Sequence, residues 1–344
     1  MMKIQEFQIR FLTPAFLGNA EQSGQWRVPP FKAQLRQWWR VAYAADCRYG
    51  VNVQDMRRVE GKLFGNAWLE KNFSKSRVIL RLDSWSEGKL KQWESLDKVT
   101  HPEVKGSSIG SDLYLGYGPL KGSSLKKNAA IQKDESATLA IAYPESEEGA
   151  RLIERALWLM DRFGTVGGRS RNGWGSYILT PQGDTTSLVG STPLREWKEA
   201  LTFDWPSAVG RDQRGALIWR TQPHDDWKGL MQALARCKIE MRTQEFKFPN
   251  SAPGRDPEPR HWLSYPITNH KVGNWDKNHL RLPNSLRFKV RPASHAEGKL
   301  VAEIFHMPCL PPASFHPDRS IIETVWQRVY GFLDKYDGIV RVTD

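Results

Sequence analysis

The stretch Gly164-Thr165-Val166-Gly167-Gly168-Arg169-Ser170-Arg171-Asn172-Gly173-Trp174-Gly175 decides how this chain is read. Five glycines and two arginines within these twelve residues give a backbone able to approach a ligand closely, flanked by two fixed cations. Upstream, Glu147 to Phe163 carries Ile153, Ala156, Leu157 and Met160 at helical spacing, and Gly164 stands where a helix wants a left-handed closing residue. Downstream, Ser176 to Leu179 reads as a short strand. The loop therefore runs from helix to strand, opposite to the dinucleotide fingerprint, and without a following Lys-Ser or Lys-Thr it is no Walker loop. Arginine and tryptophan together suit backbone phosphates and stacked bases. The plainer alternative, a flexible connection with incidental charge, leaves Trp174 between two glycines without a purpose.

Working outward, Phe7, Ile9 and Phe11 alternate with Glu6, Gln8 and Arg10, which predicts a half-buried strand. Pro29 and Pro30 open a helix whose apolar positions are Phe31, Leu35, Trp38 and Ala42. Lys32, Arg36 and Arg40, four apart, form a cationic stripe beside that face. Trp38 and Trp39 are adjacent, so one is expected in the core and the other partly exposed. Residues 100–130, rich in Gly, Ser and Lys, read as a long exposed loop, and Ala137 to Tyr143 as a strand. A turn-rich stretch at 181–193 divides the chain into a domain over 1–185 and another over 194–344.

The second half repeats the style, with a strand at Ala216 to Arg220 and a helix at Trp227 to Cys237. A proline-rich loop spans Asn250 to Pro259. A strand with Arg287, Lys289 and Arg291 on a solvent-covered face is followed by another at Leu300 to Met307. The last helix is expected to begin at Ser320, with a capping box to Glu323. The order strand-helix-strand-strand-helix-strand, used twice with long loop insertions, makes the chain α+β.

Lysine and arginine total 50 against 38 acids, an excess that favours a polyanionic partner. The three cysteines are far apart and form no CxxC pattern, which excludes a full disulfide framework and fits a reducing cytoplasm. No apolar run reaches the roughly 18 residues of a membrane span, so no membrane partner is expected. The eight histidines are scattered at no metal-binding spacing, and GxSxG, HExxH and clustered carboxylates are missing, so neither metal nor cofactor is expected. Metal-free RNA cleavage, however, needs only one base and a positioned 2′-hydroxyl. His101 or His306 with a nearby tyrosine would be its players.

Two segments together resemble the N-terminal signature of the RAMP superfamily of CRISPR proteins: Leu12 to Ala20, and Arg27-Val28-Pro29-Pro30-Phe31-Lys32 through Arg40. Glu60 to Gly65 looks like that family's next element, Gly164 through Gly175 like its glycine-rich loop, and Arg260 to Pro266 like the matching element of a second half. Within the superfamily the similarity is to the head-end Cmr-type subunit of type III-B effector complexes. The resemblance implies two tandem ferredoxin-like (RRM-like) domains and a non-catalytic, RNA-binding subunit. Such a subunit caps the 3′ end of the guide (CRISPR) RNA and helps capture target RNA for antiviral defence, beside other Cmr-type RAMP subunits. By match to the motif, Arg27, Lys32, Arg36, Arg40, Arg169, Ser170, Arg171, Asn172 and Trp174 would be RNA-binding. Ala33 stands where the family usually has glycine. Target-cutting members carry an Asp in the loop before this helix, whereas Glu21 is the only acid here between Gly18 and Pro30; the resemblance thus implies no target cleavage. The competing reading is a metal-independent RAMP endoribonuclease that processes CRISPR RNA.

Overall fold

The computed structural model describes residues 1–67, 73–126, 129–249 and 256–343. The alternation at the N-terminus becomes strand β1 (Met2–Phe11), with Phe7, Ile9 and Phe11 buried and Glu6 and Gln8 exposed. Helices α1 (Val28–Asp46) and α2 (Val53–Phe64) follow, then β2 (Ile79–Leu82), β3 (Ser136–Pro144), α3 (Glu147–Phe163) and β4 (Tyr177–Pro181). The four strands form an antiparallel sheet in the order β2-β3-β1-β4. Helices α1 and α3 pack on each other, and their apolar residues Phe31, Leu35, Ile153 and Leu157 have no exposed surface.

The chain forms two compact units. The first comprises residues 1–94, 118–193 and 289–291; the second comprises 95–117, 194–288 and 292–344. The second unit carries β5 (Ile218–Thr221), α4 (Trp227–Glu240), β6 (Leu286–Pro292, of which residues 289–291 count with the first unit), β7 (Leu300–His306), α5 (Arg319–Leu333) and β8 (Ile339–Arg341). Its sheet order is β6-β7-β5-β8, with β5 antiparallel to both neighbours. In each sheet, therefore, the first strand lies between the third and the fourth, and the second strand sits at the edge. The mixed α+β class read from the sequence holds.

Several local expectations are corrected. Trp38 and Trp39 are both buried: Trp38 packs on Phe163 of α3, while Trp39 meets Tyr43 and Phe64 of α2. Covered on two sides, α1 has no open apolar edge. Gly164 ends α3 in an extended conformation (φ −73°), so a left-handed backbone is not what it provides. It is glycine because a Cβ there would lie 2.3 Å from the Met160 carbonyl oxygen and 2.6 Å from the Tyr177 hydroxyl. Residues 100–126 are not one exposed loop. They hold the hairpin Lys98–Thr100 with Ser108–Gly110, the short helix Ser111–Gly116, and the hairpin Leu120–Lys121 with Ser124–Leu125. Val99, Leu115 and Leu120 are buried, which fixes these turns. Residues 127–128, and 250–255 of the proline-rich loop, lie outside the described residues.

In the second unit the cap of α5 is Asp318, whose carboxylate accepts from the Ser320 and Ile321 amides, in place of the expected Ser320–Glu323 box. Glu323 pairs instead with Arg319 and Lys198. Along β6, Arg287 and Lys289 are buried, so the expected solvent-covered basic face does not form.

Candidate nucleic-acid interface

The glycine loop is pinned to the segment after β1. The Gly168 amide donates to the Phe16 carbonyl at 3.0 Å and the Gly175 amide to Pro14 at 2.9 Å. Thr13 Oγ1 donates to the Gly173 carbonyl at 2.8 Å and accepts from the Ser176 amide at 3.0 Å. Gly175, at φ +64°, leaves no room for a side chain, since a Cβ would sit 1.9 Å from the Val166 carbonyl oxygen; at Gly167 it would meet Phe16 O at 2.8 Å. These glycines approach the protein's own backbone. They make a braced platform, not a flexible connection.

The platform sorts its side chains. Arg169 takes a left-handed backbone conformation (φ 57°) and is exposed; Ser170 and Arg171 are half-buried. Asn172 is buried, its amide donating to the Arg169 carbonyl at 2.9 Å and so closing the turn. Trp174, expected to stack on bases, has no exposed surface: its ring packs on Phe16 (5.4 Å between centroids) and Trp93 (5.6 Å). It is a pillar of the loop.

Lys289 and Arg291 support the loop from below. The Lys289 Nζ donates to the carbonyls of Gly164 (2.5 Å) and Tyr177 (2.6 Å) and lies 4.4 Å from the Tyr177 ring centroid. Arg291 Nη1 donates to the carbonyls of Asp161 and Arg162. The last carbonyls of α3, orphaned by helix geometry and carrying the negative end of its dipole, thus receive the Lys289 amine and the Arg291 guanidinium. Burial pushes the Lys289 amine well below its ordinary pKa, although Asp161 opposes the shift. Strand alternation had placed Lys289 outward, and nothing in the local pattern signals its burial.

Arg27 sits at the N-cap of α1, half-buried, and donates through Nη1 to the Gly18 carbonyl at 2.7 Å. The short segment Pro14 to Gly18 is therefore gripped by the glycine loop at one end and by Arg27 at the other. The stripe on α1 is partly spoken for. Arg36 and Arg40 both bind the buried carboxylate of Glu60 on α2, Arg40 Nε at 2.8 Å, and Lys32 Nζ donates to Ser76 Oγ at 2.8 Å. Burial is the main cause of a lowered Lys32 pKa, with the Arg36 charge adding to it. Glu60 had been legible as part of a motif but not as a clamp; its partners come from a different helix. All three stripe cations nonetheless keep part of their surface in solvent.

The two histidines singled out as bases are placed differently. His306 has no exposed surface, with Nε2 2.9 Å from Ser285 Oγ, Nδ1 2.7 Å from the Tyr330 hydroxyl, and Trp326 stacked on its ring at 3.8 Å. It is a packed core histidine. His101 lies edge-on to Tyr114, 5.4 Å between centroids. Among the described residues, no group of three or more His, Cys, Asp or Glu is placed to hold a metal ion, and no helix is long and apolar enough to cross a membrane.

An α+β protein whose glycine-rich loop is braced behind its first strand is the class defined here, and the family model of the RAMP superfamily matches residues 8–178 of the chain. It is similar to the CRISPR system Cmr subunit Cmr1-1 of Pyrococcus furiosus, 25% identical over 210 residues. That match covers 58% of this chain and 56% of the relative, so the chain spans little more than half the length of the curated protein it matches. Among solved structures, the apo crystal structure of Cmr1 from Pyrococcus furiosus is 15% identical, with a TM-score of 0.49 over 96% of each chain. A chain of the type III-B Cmr-beta complex, seen by cryo-electron microscopy with cognate target RNA and AMPPnP, is 13% identical, with a TM-score of 0.46 over 96% of this chain and all of that one.

Proposed function

We propose that this chain is a non-catalytic RNA-binding subunit of a Cmr-type, type III-B CRISPR effector complex, built from two ferredoxin-like units. The repeated strand order supports the units: each sheet follows a βαββαβ path with its first strand between the third and fourth. The superfamily match and the similarity to Cmr1-1 support the complex, with guide RNA, target RNA and other Cmr-type subunits as partners. Capping of the guide 3′ end follows from the same reading.

The observation that carries RNA binding is the pinned glycine loop, which presents exposed Arg169 beside Arg171 on a platform that cannot relax away. Fixed guanidiniums lose little freedom on meeting a phosphate and can bind it through two parallel hydrogen bonds. Arg27 flanks the same segment, and Lys32, Arg36 and Arg40 extend the positive surface along α1, tempered by Glu60. Ser170 and Asn172 shape the turn, and Trp174 holds it from within.

The experiment is RNA affinity of the purified chain across a salt series, for wild type and for Arg169→Ala with Arg171→Ala. Loss of two phosphate contacts on a single strand flattens the log–log salt slope by about 1.4. Equal slopes for both proteins would place the RNA surface elsewhere. The processing-enzyme alternative is tested separately by incubating labelled repeat RNA with the chain in EDTA; intact RNA is expected, and specific cleavage would replace the binding reading by an enzymatic one.

A further inference from the structure

The second unit contains two buried arginines, Arg242 and Arg260, with a single carboxylate, Glu103, beside them. Arg242 lies in the π-helical turn Met241–Glu245 that continues α4, and only 9% of it is exposed. Wide turns of this kind often accompany functional sites. Its guanidinium donates to Ser264 Oγ at 3.1 Å, and no carboxylate among the described residues pairs with it. Beside it, Arg260 is 5% exposed and takes both oxygens of Glu103, at 2.7 and 2.8 Å, while its Nε is buried without a partner. One carboxylate therefore answers two buried guanidiniums. A buried cation without a counter-charge is costly, and the cost is relieved when an anion binds.

Two neutral donors complete the group. The Glu103 amide donates to His101 Nδ1 at 3.2 Å, which leaves the proton of the neutral ring on Nε2. Burial holds His101 below its usual pKa, with the charges of Arg260 and Arg242 pushing the same way against Glu103. Tyr114, half-buried and edge-on to His101, also feels both arginine charges. The helix carrying Tyr114, Ser111–Gly116, packs against α4, the helix that Arg242 continues, and the charges of Arg242 and Arg260 act on both His101 and Tyr114.

We propose that Arg242, Tyr114 and His101, with Arg260 beside them, form a phosphate-binding site that takes a phosphate group of a nucleic-acid strand. A tetrahedral anion offers acceptors in several directions, as a guanidinium fork plus two donors on other elements requires. Only the source of the phosphate rests on the RNA-binding reading above; the site itself uses no residue of the glycine loop.

The test is titration of the full chain with inorganic phosphate at constant ionic strength, read by calorimetry. Saturable binding is expected for wild type and for the Arg169→Ala, Arg171→Ala protein. Arg242→Gln is expected to weaken it by about tenfold or more, the worth of a charge-assisted hydrogen bond. Tyr114→Phe leaves every charge in place and keeps the ring, so it tests the site without endangering the fold; a several-fold loss is expected. Absence of saturable binding in wild type, or unchanged binding in both variants, overturns the site. Competition with short RNA bearing a 3′-phosphate or a 3′-hydroxyl then identifies the source: displacement by both points to an internal phosphodiester, by the first alone to a terminal phosphate. Displacement by neither overturns the nucleic-acid assignment, while RNA affinity through the glycine loop is still read by the arginine pair.

Discussion

The Lys289 Nζ lies 2.5 Å from the carbonyl oxygen of Gly164, so a buried strand lysine closes the C-terminus of the helix that launches the glycine loop. Burial makes the charged form of this amine less favourable in the folded chain than in the unfolded one.

That relationship sets a pH dependence. Between the lowered folded value and the ordinary 10.5, the unfolded chain holds a proton on Lys289 that the folded chain has released. Stability contributed by this site therefore rises with pH across that window, by up to about 1.4 kcal/mol per pH unit for one proton. Urea unfolding of wild type and Lys289→Met between pH 7.5 and 9.5 measures it. The variant should lack that rise relative to wild type; parallel pH profiles would mean that the buried amine keeps its proton throughout.

Trp174 separates a pillar from a stacking platform. With its ring buried between Phe16 and Trp93, Trp174→Ala should destabilise the chain by about 3–5 kcal/mol, and Trp174→Phe by less. Thermal melting and RNA affinity measured on the same preparations decide the matter. Should Trp174→Ala melt like wild type yet lose RNA affinity, the ring touches RNA and its buried position is incorrect.

The core histidine predicts acid sensitivity. Burial, with a contribution from the Arg287 charge, holds His306 far below 6.5, so below that pH the unfolded chain gains a proton that the folded chain does not. The contribution of this neutral histidine to stability is complete above pH 6.5 and is lost as pH falls toward its folded value, by up to about 1.4 kcal/mol per unit. His101, His261 and His270 shift in the same direction, chiefly through burial. Melting temperatures at pH 7.5 and 5.5 should fall apart in wild type and less so in His306→Gln. An identical acid loss in both would show that His306 carries none of it.

Much of this molecule is written in local spacing. The period of two in residues 6–11 gives β1, because a half-buried strand must alternate its faces. Ile153, Ala156, Leu157 and Met160 give α3 with its end at Phe163, because only a helix brings those positions to one side. The glycine loop is likewise visible as a loop, being too poor in apolar side chains and too rich in glycine to be anything else.

What the spacing could not settle is which side of an element is covered, and by what. Alternation along β6 placed Arg287 and Lys289 on one face correctly but could not show that the fold buries that face too. Nor could a stripe of cations on α1 reveal Glu60, which reaches Arg36 and Arg40 from the next helix. The same holds for Trp174, whose neighbours Phe16 and Trp93 are remote in sequence. The sequence alone determined β1, α1, α3, the glycine loop and the family signature, since those are properties of short segments. Only the tertiary structure decided which arginines stay exposed and which cations are buried, because the cost of removing a charge from water depends on neighbours that the chain brings from far away.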